Sequence, residues 1–521
     1  MTAIGRVLSA SLASWVRIAV VIVSQVAAVP VFLHYWDVET YGVWLLLQSI
    51  IGIVTLADVA NQNYLGYEFL KIGTLNKERM ADLFCSALPV SLFVSALTFA
   101  LLVTLVFTHT LSDVLEINAS LVEEFNLALV ILAATWVVTG SVGGIIGRVL
   151  YPFNYYPVLA WAGTFFALIS AVTPVVAVLL GANFTMVAIT ASVTTVTYNI
   201  GLMAILVPLV KSQGLFAGRM KFLDGLVEFV RSTTLALQSG LDVIRQQGTR
   251  LVLLPMAGMA PMTAFSTMRT GANFAQQGLS TITGPVMPEL MRFLAMRDQA
   301  RTESAFAIVW LVLCAVLSPA IVIVQWLAPA LFPLWTHGKI AFDPWLFGML
   351  SLGVSVLALA QPAAAVLQGN NILRAQLGIS IVAAVVAVGG MALLVPLMGV
   401  RGAAAALLAA ELTSLSACVW VAQQWLREQG MHWPWKAFSA AAAAVPVTAL
   451  GMVALELLPA GLTLAGLAVV FVLRGLVAIL YWRQLPALAR TRATSLLARF
   501  MPASLRPTVA PPAATGSAPK P

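Results

Sequence analysis

An all-α protein that crosses a membrane many times is the fold class this sequence predicts, and three observations predict it. Of the 521 residues, 60% are hydrophobic and only 9% are charged, whereas a soluble domain carries about 25% charged residues. The apolar residues collect into long runs, and a helix of about 20 such residues crosses the roughly 30 Å hydrocarbon core of a bilayer. The basic residues collect between alternate runs. With a mean hydropathy of +0.95, the chain cannot cover itself with a water-facing surface.

About fourteen transmembrane helices are expected. The first run, 11–33, follows a single Arg6 and is too long for a signal-peptide core, so it reads as a retained helix. The second, 41–66, is followed by 83–107, 125–147, 157–180 and 185–210, completing a first group of six. A second group comprises 226–254, 262–289, 304–328, 345–368, 375–397 and 402–426, and two more helices follow at 437–457 and 461–482. From about 485 the chain turns to Ala, Pro and Arg and ends "PPAATGSAPKP", a composition that buries no core and reads as a disordered tail. The expected domains are an N-terminal six-helix lobe (1–210), a cytoplasmic linker (211–225), a C-terminal six-helix lobe (226–430), two additional helices (431–484) and a disordered cytoplasmic tail (485–521).

The net charge of +8 reads as membrane topology and not as a nucleic-acid surface. With the N-terminus placed in the cytoplasm, cytoplasmic segments and the tail receive twenty Lys and Arg, among them Lys71, Lys77, Arg79, Arg148, Arg219 and Lys221. The opposite side receives only Lys339 and Arg401. This bias orients both termini to the cytoplasm. Neither the three cysteines (Cys85, Cys314, Cys418) nor the scattered His34, His109, His337 and His432 have metal-ligand spacing, and no G-x-x-x-x-G-K loop occurs. No cofactor is expected, and a metalloenzyme or an ATP-driven pump with its motor in this chain is disfavoured.

An internal repeat is expected as well. Glu68 and Glu289, each closing a helix in "EFLK" and "ELMR", lie 221 residues apart; Pro30 and Pro255 lie 225 apart, and Gly147 and Gly369 lie 222 apart. A duplication of six helices leaves both bundles in the same orientation, and transporters built this way bind substrate between the halves.

Polar residues fall at helical spacing in four helices. Helix seven offers Gln238, Asp242, Arg245 and Thr249, with Arg250 alongside; helix eight offers Ser266, Arg269, Asn273, Gln276 and Ser280. Helix one carries Ser14, Arg17 and Gln25, and helix two carries Gln48, Thr55, Asp58 and Gln62. These stripes are expected to line a shared, water-filled cavity. A charge at mid-membrane costs roughly 2.5–3.5 kcal/mol on the insertion scale, so such residues face the interior and often serve function. Asp242 and Arg245 could be a structural ion pair. Arg17, Arg245, Arg250 and Arg269 still outnumber Asp58 and Asp242, and the surplus suggests an anionic ligand, for which the planar fork of Arg suits phosphate. Tyr64 is the aromatic best placed to stack on a sugar, although interfacial anchoring is the commoner role. Gly143-x-x-x-Gly147 permits a close helix contact.

The opening "RIAVVIVSQVAAVPVFLHYWDVETYGVWLLLQSIIGIVTLADVANQNYLGYEFLK" (17–71), with Tyr41-Gly42-Val43-Trp44 opening helix two, "GPVMPELMRF" (284–293) and the turn at 399–402 together resemble the multidrug/oligosaccharidyl-lipid/polysaccharide (MOP) flippase superfamily. More narrowly they resemble bacterial polysaccharide-biosynthesis exporters, O-antigen flippases included. That likeness implies two six-helix lobes in a bacterial inner membrane and no enzyme activity. The implied cargo is a polyprenyl-diphosphate-linked oligosaccharide moved to the periplasmic leaflet by alternating access. Arg17, Arg245, Arg250 and Arg269 would hold the diphosphate, and Asp58 and Asp242 would balance charge or couple to an ion. Gln25, Gln48, Gln62, Gln238, Asn273 and Gln276 would line the cavity. Membrane lipids, glycan polymerases and glycosyltransferases are the implied partners, without nucleic acid. Two rivals stand beside this reading. A drug/cation antiporter of the same superfamily predicts an acidic cavity. A membrane-embedded glycan polymerase or ligase needs a sizeable outer loop, and the longest here, 108–124 and 329–344, are short.

Overall fold

The computed structural model describes residues 3–74, 76–243, 249–283, 296–370, 372–459 and 463–486, together with Leu290, Phe293, Leu294 and Arg490. Among them every regular element is helical. The first half contains α1 (Ala3–Tyr35), α2 (Val38–Val54), α3 (Leu56–Ile72), α4 (Lys77–Phe107), the short α5 (Thr110–Val114), α6 (Ala119–Val149), α7 (Tyr156–Leu179) and α8 (Phe184–Ser212). The second half contains α9 (Phe222–Val243), α10 (Thr249–Ala257), α11 (Met259–Thr283), α12 (Gln299–Val312), α13 (Ser318–Trp335), α14 (Pro344–Gly369), α15 (Leu373–Met398) and α16 (Val400–Glu428). It is followed by α17 (Trp435–Ala442), α18 (Ala444–Leu457) and α19 (Thr463–Gln484).

Short polar residues start the long helices where the sequence supplies them. Asp37, Asn76, Asn183, Asp298 and Asp343 each accept a hydrogen bond from a main-chain N–H of the first turn they cap. The turn at 399–402 needs its glycines: Gly399 has φ +59°, and a Cβ on Gly402 would stand 2.3 Å from the Leu394 carbonyl oxygen.

Eleven helices among the described residues are long and apolar enough to cross a membrane, or twelve if α2 and α3, bent by 46°, count as one span. The expected fourteen are not reached. The two expected runs not among these are 226–254, of which residues 244–248 lie outside the described residues, and 262–289, whose described part is α11. Both carry the polar stripes, and those stripes lower their hydropathy. Elsewhere the spans present apolar side chains outward, as at Leu97, Leu101, Val193, Ile200, Val385 and Leu393, the surface a bilayer requires. In contrast, α14 has 72% of its apolar window buried and forms the core of the second half.

The distribution of the core decides how the halves meet. Call the end carrying Lys71, Lys77, Arg79 and Arg148 the basic end. Away from it, one continuous apolar cluster takes Phe32 of α1, Trp36 just after it, Trp44 of α2, Phe125 of α6, Phe265 of α11, Phe347 of α14 and Ala403 of α16. At the basic end there are two clusters. Phe69, Phe84, Ile145 and Val210 form one within the first half; Phe306, Trp310, Val366, Trp433 and Tyr481 form the other within the second. Among the described residues the halves are thus fused at one end and have separate cores at the other.

Contacts between halves fasten the fused end. Lys339 Nζ donates to the Trp36 carbonyl (2.8 Å), and Trp335 Nε1 donates to the Val26 carbonyl (2.7 Å). The His34 and His337 rings lie 5.4 Å apart. Gly42 of the Tyr-Gly-Val-Trp segment lets α11 close on α2, since a Cβ there would stand 2.2 Å from Thr263 Oγ1. At the basic end, α9 crosses to pack on α3 and α4.

Candidate functional site: two polar clusters and their surroundings

The first cluster lies between the halves. Arg250 follows Thr249 at the start of α10 and reaches α2, where Nη1 donates to Ser49 Oγ (3.0 Å) and the Leu45 carbonyl (3.3 Å). Arg269 of α11 donates to Thr249 Oγ1 (2.7 Å), so the two arginines share one neighbourhood. Arg269, Asn273 and Gln276 line a cavity of about 60 Å³, and Glu411 of α16 lines it with them. Glu411 also lines an adjoining cavity of about 170 Å³ with Gln368, Gln376, Ser380 and Ser414. Gln277 Nε2 donates to Gln25 Oε1 (3.0 Å), tying α11 to α1.

The other expected residues are placed as follows where they are described. Arg17 is exposed on α1, and Gln48 is exposed on α2. Gln238 and Asp242 fall within α9, but their side chains, and all of Arg245, lie outside the described residues. Of the expected arginines that are described, Arg250 and Arg269 lie together.

The second cluster is enclosed within the first half. Asp58, at the start of α3, is 3% exposed. Its Oδ1 accepts from Ser91 Oγ (2.5 Å), and its Oδ2 accepts from Trp136 Nε1 (3.1 Å) and Gln62 Nε2 (3.1 Å). Gln62 Nε2 also reaches the Gly140 carbonyl (3.0 Å), while Gln62 Oε1 accepts from Arg148 Nη1 (2.8 Å). Arg148 Nη2 continues to Asn63 Oδ1 (2.8 Å). A bonded path therefore runs from a buried carboxylate to an arginine at the foot of α6. Three side-chain donors thus converge on one buried carboxylate. Just beyond the span, burial pushes the Tyr151 phenol up while the Arg148 guanidinium pulls it down.

Small residues on α6 make this possible. A Cβ on Gly144 would stand 1.8 Å from Gln62 Oε1. Gly143 and Gly147, the pair singled out by spacing, meet Asn199 and Leu159 at the ordinary distances of 3.5 and 3.6 Å. Periodicity placed Gln62 on a cavity wall; its real neighbours are α4 and α6. Tyr64 bonds to protein, its hydroxyl donating to Glu228 Oε2 of α9 (2.8 Å).

Two charged residues lie outside the four polar stripes. Glu411 is an isolated acid in an apolar helix. Arg474 lies mid-way along α19 and is 6% exposed; Nη2 donates to Thr448 Oγ1 (2.7 Å). Tyr481 of the same helix donates to the Ala307 carbonyl (2.7 Å), close to the π-turn Leu313–Leu317 that joins α12 to α13. These bonds pin the last helix to the second half.

No protein-family model matches this chain, and no curated protein matches it. Solved structures do. The inward-facing conformation of a multidrug resistance MATE family transporter of the MOP superfamily aligns with TM-score 0.62 at 13% identity, covering 80% of this chain and 98% of that one. A MOP superfamily transporter from Pyrococcus furiosus, described as having a binding pocket of reverse polarity that suggests a different function, aligns with TM-score 0.59 at 13% identity over 82% and 96%. An outward-facing MATE family transporter aligns less closely, with TM-score 0.53 at 15% identity over 82% and 96%. The chain has the polytopic all-helical fold of these transporters.

Proposed function

We propose that this protein is a membrane transporter of the MOP type working by alternating access, and that its cargo class is organic cations or drugs, exported against an ion gradient. The observation that carries the transport reading is the unequal join of the halves, one core at one end and two at the other. Rocking about the polar cluster at Arg250 and Arg269 would exchange which end is closed. Orientation by the Lys and Arg bias makes the basic end cytoplasmic, in a bacterial inner membrane with both termini inside. It makes the described state inward-facing, in keeping with the better alignment to the inward-facing neighbour. We retain 1–210 and 226–430 as the two lobes, with 211–225 as linker and 431–484 as additional helices.

The cargo reading rests on two points. The neighbours described by substrate are multidrug transporters. Glu411 joins Arg269 in one cavity, so an acidic group stands at the site where a cation-antiporter reading calls for one. Asp58 is the coupling residue in this proposal. A proton or cation arriving there removes charge from a site held by three donors, and the Gln62–Arg148 path carries the change to the basic end. Each charge crossing the field contributes about 2.3 kcal/mol per 100 mV.

Transfer of a polyprenyl-diphosphate-linked oligosaccharide is kept as the second reading, because Arg250 and Arg269 lie together between the halves. Proteoliposomes distinguish the two. Under an imposed proton or sodium gradient, uptake of a fluorescent organic cation that is lost in Asp58→Asn supports the antiporter. Gradient-independent inertness toward cations, with translocation of a labelled polyprenyl-diphosphate oligosaccharide, overturns it in favour of the flippase.

A further inference from the structure

At the basic end the chain after α8 folds onto the first turns of α4, and two glycines allow the approach. A Cβ on Gly218 would stand 2.2 Å from the Ala81 main chain, and one on Gly225 would stand 2.2 Å from the Ser86 carbonyl oxygen. Main-chain donors fix the seam, Arg219 N to Asp82 Oδ1 (2.6 Å) and Lys221 N to Ser86 Oγ (3.0 Å). Beside it opens a pocket of about 310 Å³ between α3, α4 and α9.

Four carboxylates line this pocket, and each is engaged. Glu228 accepts from Arg231 (2.6 Å) and Tyr64 (2.8 Å), Glu68 pairs with Lys71 (2.6 Å), Asp82 takes the Arg219 amide, and Asp224 faces Lys221 at 3.7 Å. The guanidinium groups of Arg79 and Arg219 also line it, and among the described residues neither forms an ion pair. Helices α4 and α9, of 31 and 22 residues, both begin at its rim and direct their positive dipole ends there. Asp82 keeps its charge, because its partner is a neutral amide; with the three ion pairs set aside, Arg79 and Arg219 against Asp82 leave the pocket one positive charge in excess.

The pocket also opens onto an apolar face. Val227 lines it and belongs to a stripe on α9 with Leu223, Val230 and Leu237, which are 50%, 73%, 59% and 52% exposed respectively. Spacings of four, three and seven put them on one side of the helix. At 1.5 Å per residue the stripe is about 21 Å long, enough to follow a lipid tail through the roughly 15 Å of one leaflet's hydrocarbon. A soluble anion would have no use for it.

We propose that this pocket binds the phosphate of a membrane lipid, with Arg79 and Arg219 as the anion-binding pair and the tail laid along Leu223, Val227, Val230 and Leu237. The lipid would hold α9 against α3 and α4, at the end where the cores are separate. This site is distinct from the polar cluster between the halves and stands whichever cargo reading holds.

The test is native mass spectrometry of the full-length, delipidated protein titrated with phosphatidylglycerol. Arg79→Gln with Arg219→Gln should weaken binding at least about tenfold, since two charge-assisted bonds are lost. Leu223→Ser with Val230→Ser should weaken it about threefold through lost apolar contact. Arg374→Gln with Arg427→Gln, the same charge loss at other exposed positions of the basic end, should change it by less than about twofold. Diacylglycerol, lacking phosphate, should not bind. Equal loss in both arginine pairs would overturn the proposal in favour of diffuse attraction. Displacement of the lipid by an equal concentration of inorganic phosphate would overturn it in favour of a soluble-anion site. Every substituted side chain is exposed, and a melting curve confirms that each variant is folded.

Discussion

Gln62 joins two charges that never touch, giving its amide N–H to Asp58 and its carbonyl to Arg148. That position explains why α6 carries glycine at 144. Gly144→Ala should destabilise the protein by about 1–3 kcal/mol, because a methyl group meets Gln62 Oε1 in a packed site. Gly144→Ala with Gln62→Ala should recover part of the loss, and a thermal melt of the three variants checks this. Asp58→Asn keeps the shape and removes the charge; gradient-driven transport should fall at least about a hundredfold while substrate binding changes little. A binding isotherm beside a flux assay separates these effects. Helical spacing made the Asp58 face legible. It could not say which neighbour that face meets, because a 3.6-residue period fixes directions about one helix and not the order of helices around it.

At the scale of elements, the bend between α2 and α3 falls at Thr55, whose hydroxyl donates to the Ile51 carbonyl (2.9 Å). Such back-bonding often bends helices, and here it separates the part of the second span in the shared core from the part in the first half's own core. The latch at the fused end rests on Lys339 and Trp335. Lys339→Met and Trp335→Phe each delete one donor, worth about 0.5–1.5 kcal/mol. Together they should shift the closed-to-open ratio at that end roughly thirtyfold. Labelling of Ser266→Cys, buried on α11, by a membrane-impermeant thiol reagent from that side should accelerate accordingly. Unchanged labelling would show that apolar contact alone holds the end shut. The eleven apolar spans were readable because a bilayer demands about 20 apolar residues of each. Helices α9 to α11 were harder to read, because lining a polar interior removes that same signature.

Across the whole molecule, helical class follows from composition, while the way the halves close does not. Trp36 and Lys339, like His34 and His337, are distant in sequence, and nothing in their local pattern announces that they meet. The arginine surplus illustrates the opposite limit: charges can be counted from sequence, but Arg17 and Arg250 fall in different surroundings, and a count assumes one chamber. Among the described residues the two ends differ, with one shared core at the first and two at the second. Paired spin labels across each end measure this directly, one pair at His34→Cys and His337→Cys, the other at Lys77→Cys and Arg427→Cys. In proteoliposomes, imposing the driving gradient should lengthen the first distance and shorten the second within the same population. If both distances stayed fixed, or both lengthened together, alternating access by this protein would be contradicted.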